Sequence, residues 1–311
     1  MDGLIKRGGK PLTKLIEVVA NGIGKWCEPR YVVRMAHAES KAEHISVLEK
    51  AKREALLKND EDLYNHLSAV EERLLTKESK RHRNIEQVVN RAANVLSSET
   101  EVSSETVDPD WITRFFDIVQ DISNEQMQDL WGRILAGEVK QPKSFSLRTL
   151  ETLRNITSYE AELFEKLSSY VFHSGKCYIF NGLLENGYPN LQYGAITRLM
   201  EMGLIQSVSD IGLALSHQED EEYDCTYVYG DYLYLFSIPD SMEGINLPVY
   251  SLTITGCEVF KLVSFKPNYE YFHEVLKCIT EFNEIKINRV RILSNDTEGI
   301  KYDNNAIENL I

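Results

Sequence analysis

No run of eighteen apolar residues occurs anywhere in the chain, which excludes a conventional membrane-spanning helix. There is no CxxC pair. The five cysteines, Cys27, Cys177, Cys225, Cys257 and Cys278, are scattered and odd in number. That is poor material for a disulfide framework or a zinc site, and it suits a reducing compartment. The sequence also lacks the phosphate loop GxxxxGK[ST], the dinucleotide fingerprint GxGxxG and the nucleophile elbow GxSxG. His37 and His44 flank Glu39 in HAESKAEH, but seven-residue spacing does not make a HExxH zinc pair. With no catalytic, metal or cofactor motif, the expectation is a protein without chemistry of its own and without a cofactor.

Proline and glycine are missing from Tyr31 to Leu96, where Ala, Glu, Lys, Leu and Arg dominate. Such a stretch reads as long helix. The polar KNDED around Asn59 and Asp60 predicts a turn, and Leu63, Leu67, Val70 and Leu74, then Ile85, Val88, Ala92 and Leu96, mark the stripe beyond it. Two striped helices in succession predict a helical hairpin or coiled coil over 31–96 and a homo-oligomer built through it.

The other segments follow from composition and period. Residues 1–30 carry a basic amphipathic helix that opens at Pro11, and 97–108 form a polar linker. Residues 109–174 predict a four-helix block. In it Ser123 with Gln126 and Thr157 with Glu160 are candidate capping boxes, and Gly137 reads as a helix stop. Trp111 and Trp131 sit on apolar stripes and are predicted core. After Gly175 the period shifts to alternation: helix, strand, polar loop, strand and helix over 175–295 predict a winged-helix-like α+β domain, with 296–311 as a tail. The fold expected is thus mainly α, with a C-terminal α+β domain.

Charge is unevenly spread around a net of −14. Residues 1–100 hold 18 basic against 15 acidic side chains, and residues 101–311 hold 16 against 33. From Asn181 to Phe260 Arg198 is the single basic residue among twelve acidic ones, so this domain is ill suited to DNA phosphates. The densest basic cluster, KESKRHR at 77–83, makes Lys77, Lys80, Arg81 and Arg83 candidates for polyanion binding, or else the wet face of a helix. In the N-terminal helix Leu12, Leu15, Ile16, Val19 and Trp26 share an apolar side, and Lys6, Arg7, Lys10 and Lys14 lie at its margins or ahead of it. This stretch can lie in a membrane interface or a partner groove, with about 1 kcal/mol per basic side chain near anionic lipid. It can equally dock on its own helical block.

Two stretches resemble a known family. GKPLTKLIEVVANGIGKWCEPRYVVRMAHAESKAE is similar to the N-terminal signature of bacterial abortive-infection proteins of the Abi-alpha type and of a related uncharacterised family. DLWGRILAGEV and FSLRTLETLRNITSYEAELFEKL resemble their central helical block. The resemblance covers roughly 10–40 and 108–170. It implies antiviral defence against phage and brings no catalytic residues. The expected protein is therefore a non-enzymatic defence factor that acts by assembly and by engaging a protein partner, a phage component or a membrane surface. It is expected in the cytoplasm or at the periphery of the inner membrane. A nucleic-acid-binding regulator is the alternative.

Overall fold

The structure, a computed structural model, describes residues 9–23, 47–183, 188, 192–207, 213–216, 223–280, 284–296 and 299–310. The chain divides into two compact units, Met1–Leu150 and Glu151–Ile311.

The first unit is helical. Helix α1 runs Lys10–Ile23, α2 covers residues 47–57, and α3 runs Glu61–Leu96. Then come α4 (Pro109–Val119), α5 (Glu125–Lys140) and the start of α6 (Leu147–Asn155). Between α2 and α3 the chain turns at Asn59, whose φ is +53°, and the Asp60 side chain accepts the Leu63 N–H to cap α3. Lys52 and Glu71 pair across the turn. Beyond Arg83 α3 changes character: Ile85, Val88, Val89, Ala92, Ala93 and Leu96 are all buried, packed on α5. The two axes meet closely because Gly132 has no side chain; a Cβ there would lie 2.6 Å from the Arg91 Cβ. Trp111, Phe115 and Trp131 fill the centre, with Trp111 stacked on Phe115 at 5.0 Å. Both tryptophans are core, as their stripes predict.

Both ends of α5 differ from expectation. Asn124, one residue after Ser123, caps α5 by accepting the Met127 N–H. Gly137 does not stop that helix; it lies inside α5, and the Phe145 ring rests where its side chain would be. Thr157 and Glu160, by contrast, form the complete capping box that the motif predicts.

The second unit overturns the predicted fold class. After α7 (Ser158–Ser168) come β1 (Phe172–Ser174), β2 (Lys176–Phe180), α8 (Tyr193–Glu201), β3 (Ile205–Ser207) and β4 (Leu213–Ser216). These are followed by β5 (Cys225–Tyr229), β6 (Tyr232–Ser237), β7 (Gly244–Leu247), β8 (Val249–Leu252), α9 (Ile254–Phe260) and α10 (Tyr269–Thr280). Three more strands, β9 (Lys286–Asp296), β10 (Gly299–Tyr302) and β11 (Glu308–Asn309), complete it. Among the described residues the strands build a nine-stranded antiparallel sheet in the order β10-β9-β6-β5-β1-β2-β8-β3, with β11 also on β9, and β4 pairs β7 separately. A winged helix carries only a small wing beside its helices, so the winged-helix-like assignment does not hold. Nor is the first unit a long coiled coil, because the second half of α3 is spent on the core of its own unit.

Tyrosine and phenylalanine explain why the sheet is stable. Phe172, Tyr227, Tyr229 and Phe236 project from β1, β5 and β6 onto one face, and α10 lays Tyr271, Phe272, Val275 and Ile279 in the same core. Tyr229 and Phe272 stack at 4.2 Å. The Tyr271 hydroxyl clips α10 to β2, accepting the Phe180 N–H at 3.0 Å and reaching the Phe180 carbonyl at 3.2 Å. Leu233, Leu235 and Val290 form a smaller core that Ile300, Tyr302 and Ile307 cover. The segment after Asp296 thus belongs to the sheet.

Candidate functional site

The proposed lipid- or partner-facing helix is seated. Leu12, Leu15 and Val19 are 6%, 2% and 1% exposed, packed in the first unit where α1 rests on α4 and α5. Ile16 and Lys14 are half-buried and Lys10 is exposed. The Lys14 Nζ donates to the Ser103 carbonyl at 2.8 Å, and burial lowers its amine pKa against the pull of Glu105, Glu138 and Glu17. Lys6, Arg7 and Trp26 lie outside the described residues, as do His37, Glu39 and His44. Of the two destinations open to the apolar face, the structure takes the chain's own helical core. Desolvating Leu12, Leu15, Val18 and Val19 once is enough to hold such a helix, and the same face cannot meet lipid while it is docked.

The basic cluster is divided. Arg81 makes a two-pronged contact with Asp121, Nε to Oδ1 at 2.8 Å and Nη2 to Oδ2 at 2.9 Å, and Glu78 lies 3.7 Å away. A guanidinium held this way ties α3 to the turn after α4 and is already neutralised. Lys77, Lys80 and Arg83 remain exposed on α3.

Among the described residues of the first unit, exposed apolar side chains gather on α2 and on the N-terminal half of α3. Leu63, Leu74 and Leu75 are 43%, 42% and 54% exposed, and Leu57 at the end of α2 is 85% exposed. Leu63, Leu67, Val70 and Leu74 recur at helical spacing, and Leu67 and Val70 are half-covered. The first helical turns of α3 are acidic, with Glu61 and Asp62, whereas the stretch from Lys77 to Arg83 is basic. Sequence reading found the stripe and missed this polarity along it.

A second feature, in the sheet unit, was not foreseen. A cleft of about 210 Å³ is lined by Tyr232 and Tyr234 of β6, Tyr269 and His273 of α10, and Arg289 of β9. Strand pairing sets Tyr234 directly opposite Arg289, and helical spacing puts Tyr269 and His273 on one side of α10. The Arg289 guanidinium lies 5.0 Å from the Tyr232 ring centre and donates to Glu308 at 2.9 Å. Burial pushes the Tyr234 hydroxyl up to about 12, with Arg289 pulling the other way, so it serves as a neutral donor. Arg289 is thus engaged in stacking and in holding β11.

Among the described residues no group of three or more His, Cys, Asp or Glu side chains could hold a metal ion. No helix among them is long and apolar enough to cross a membrane.

These features define a protein of two units, the first helical and the second built on an antiparallel sheet. The chain belongs to the DUF2806 family of proteins of unknown function, whose model matches residues 69–276, from within α3 to within α10. No curated protein and no solved structure matches it.

Proposed function

We propose that the protein is a non-enzymatic bacterial anti-phage factor of the abortive-infection type that acts in the cytoplasm by self-assembly through the N-terminal half of α3. The defence role rests on the resemblance of 10–40 and 108–170; the assembly surface rests on the exposed leucines of α3. The occupant we assign to that surface is a second copy of the chain, lying antiparallel. Antiparallel contact sets Leu63 against Leu74 and Leu67 against Val70, and it brings the acidic start of one helix to the basic stretch of the other. Asp62 and Lys80 are eighteen residues apart and so project in one direction, flanking the stripe. A two-fold axis near the middle of the stripe satisfies both ends at once, as isologous contacts require. Full burial of a leucine contributes about 1.5–3 kcal/mol, and the contact covers what remains exposed of Leu63 and Leu74 on both copies.

A partner role for α1 requires it to leave its seat, and the reading does not depend on it. The experiment is light scattering of the full chain at micromolar concentration, beside the double variant Leu63→Glu with Leu74→Glu. A dimer or larger species that becomes monomeric in the variant, with loss of protection against phage in bacteria expressing it, supports the reading. A monomeric parent overturns the assembly. A variant that is monomeric and folded but still protective overturns the link between assembly and defence.

A further inference from the structure

Hairpin β1–β2 turns at Gly175, φ +67°, and so sets His173 directly opposite Cys177. The His173 Nδ1 lies 3.3 Å from the Cys177 Sγ. A third group arrives from a distant part of the chain. Strand β8 pairs with β2, and the Thr253 hydroxyl, accepting the Gly256 N–H, turns the chain straight into α9. That turn delivers Cys257, whose thiol lies close enough to that of Cys177 for each to shift the other's proton affinity. Phe260 of the same helix packs on the His173 ring at 5.5 Å. Cys177 is buried and Cys257 is half-buried, so a small solute reaches Cys257 first.

We propose that Cys257 and Cys177 form a reversible disulfide site for a small peroxide, Cys257 meeting the oxidant and Cys177 resolving. The two sulfurs are unequal in the required sense. The Cys177 thiol, helped by Lys261, holds the Cys257 thiol below its ordinary range against burial and Glu258, whereas the neighbouring Cys257 and burial raise Cys177. Burial also lowers the His173 imidazole, which keeps it neutral and able to accept a proton. A thiolate that is partly exposed beside a resolving thiol is the arrangement redox-sensitive cysteines share.

The chemistry balances with hydrogen peroxide alone. The Cys257 thiolate attacks one peroxide oxygen; the S–O bond forms, the O–O bond breaks, and the departing hydroxide takes up the proton that Cys257 released. The oxidised sulfur is no longer a thiolate that draws the Cys177 proton, so that proton turns to His173 Nδ1. Cys177 then attacks the Cys257 sulfur; the S–S bond forms and the S–O bond breaks. The hydroxide leaves as water with the proton held at Nδ1. Two thiols and one peroxide yield one disulfide and two waters, and a dithiol reductant reverses it.

The test is peptide mass spectrometry of the reduced full chain, treated with stoichiometric hydrogen peroxide and then alkylated. A cross-linked Cys177–Cys257 peptide should form roughly tenfold faster than any modification of Cys225, whose thiol burial pushes up to about 12. In Cys177→Ser, dimedone should trap a sulfenic acid at Cys257. In Cys257→Ser, the cross-link should vanish and Cys177 should stay alkylatable. His173→Gln should slow cross-linking in the otherwise unchanged chain without reducing dimedone capture in the Cys177→Ser background. Oxidation of Cys225 or Cys278 before any Cys177–Cys257 link overturns the assignment, as does peroxide modification of Cys177 at the parental rate in Cys257→Ser.

Discussion

The Arg198 guanidinium of α8 reaches the Glu160 carboxylate of α7, Nε to Oε1 at 2.9 Å, while the other oxygen of that carboxylate accepts both the backbone N–H and the hydroxyl of Thr157 at 2.8 Å. One side chain thus caps its own helix and ties a second helix to it. These bonds, the Thr157 N–H first, hold the carboxyl below its ordinary value of 4.5. A carboxyl lowered in the folded state adds stability above its unfolded pKa and loses it as pH falls through the folded one. Glu160→Gln is therefore expected to cost about 1–2 kcal/mol near neutrality. Urea unfolding at a series of pH values should show the parent and the variant converging as pH drops below about 4.5. A gap that is the same at both ends of the series would remove the carboxylate's charge from the explanation.

Gly22 is where α1 meets the core most closely. A Cβ there would lie 2.3 Å from Phe116 and 2.6 Å from Ile112. Gly22→Val should lift the end of α1 and cost about 1–3 kcal/mol by overpacking. Limited proteolysis should then cut before residue 23 sooner than in the parent, while the fragment carrying Trp111 and Trp131 persists. Unchanged cleavage would mean that the crossing tolerates a side chain.

The Tyr229 hydroxyl accepts the Asn268 N–H at 2.7 Å and bridges the carbonyls of Ser169 and Asn268. Burial pushes its pKa well up, so it remains a neutral donor throughout the physiological range. Tyr229→Phe keeps the stack on Phe272 and leaves these backbone groups unmet, which costs about 1–3 kcal/mol. Thermal unfolding measures it, and near-ultraviolet circular dichroism should stay native below the transition.

Helices proved legible where their signals are local. Leu12, Leu15 and Val19, the Trp111 and Trp131 stripes, and the Thr157–Glu160 box are all set by neighbours within a few turns, and the structure has each of them. Gly137 misled because a glycine reads as a stop from flanking sequence alone, whereas here it makes room for Phe145. After Gly175 the alternation gives no mark of where strand stops, yet β8 ends at Leu252 and Thr253 caps a helix. The sheet itself was illegible for a deeper reason. Its short strands alternate as a wing's do, but β6 finds β9 more than fifty residues later, and nothing in either strand names its partner. The meeting of His173, Cys177 and Cys257 depends on another such long-range pairing, so three residues that look scattered in sequence become neighbours only through β2 and β8.

Charge offers the sharpest check on the antiparallel contact between copies. Glu61 and Asp62 are exposed at one end of the stripe, and Lys77 and Lys80 are exposed at the other. Within one chain these groups are about 25 Å apart along the helix, far beyond the screening length at physiological salt, so they barely interact. Across an antiparallel pair they come together twice. Lys77→Glu with Lys80→Glu should therefore weaken association about tenfold or more without changing the thermal stability of the dissociated chain, and adding Glu61→Lys and Asp62→Lys should restore it. Like-charge contacts in a parallel pair predict the reverse: the charge-inverted quadruple variant would associate no better than the double one. Sedimentation equilibrium of the parent and both variants, at low and at physiological salt, decides between the two orientations.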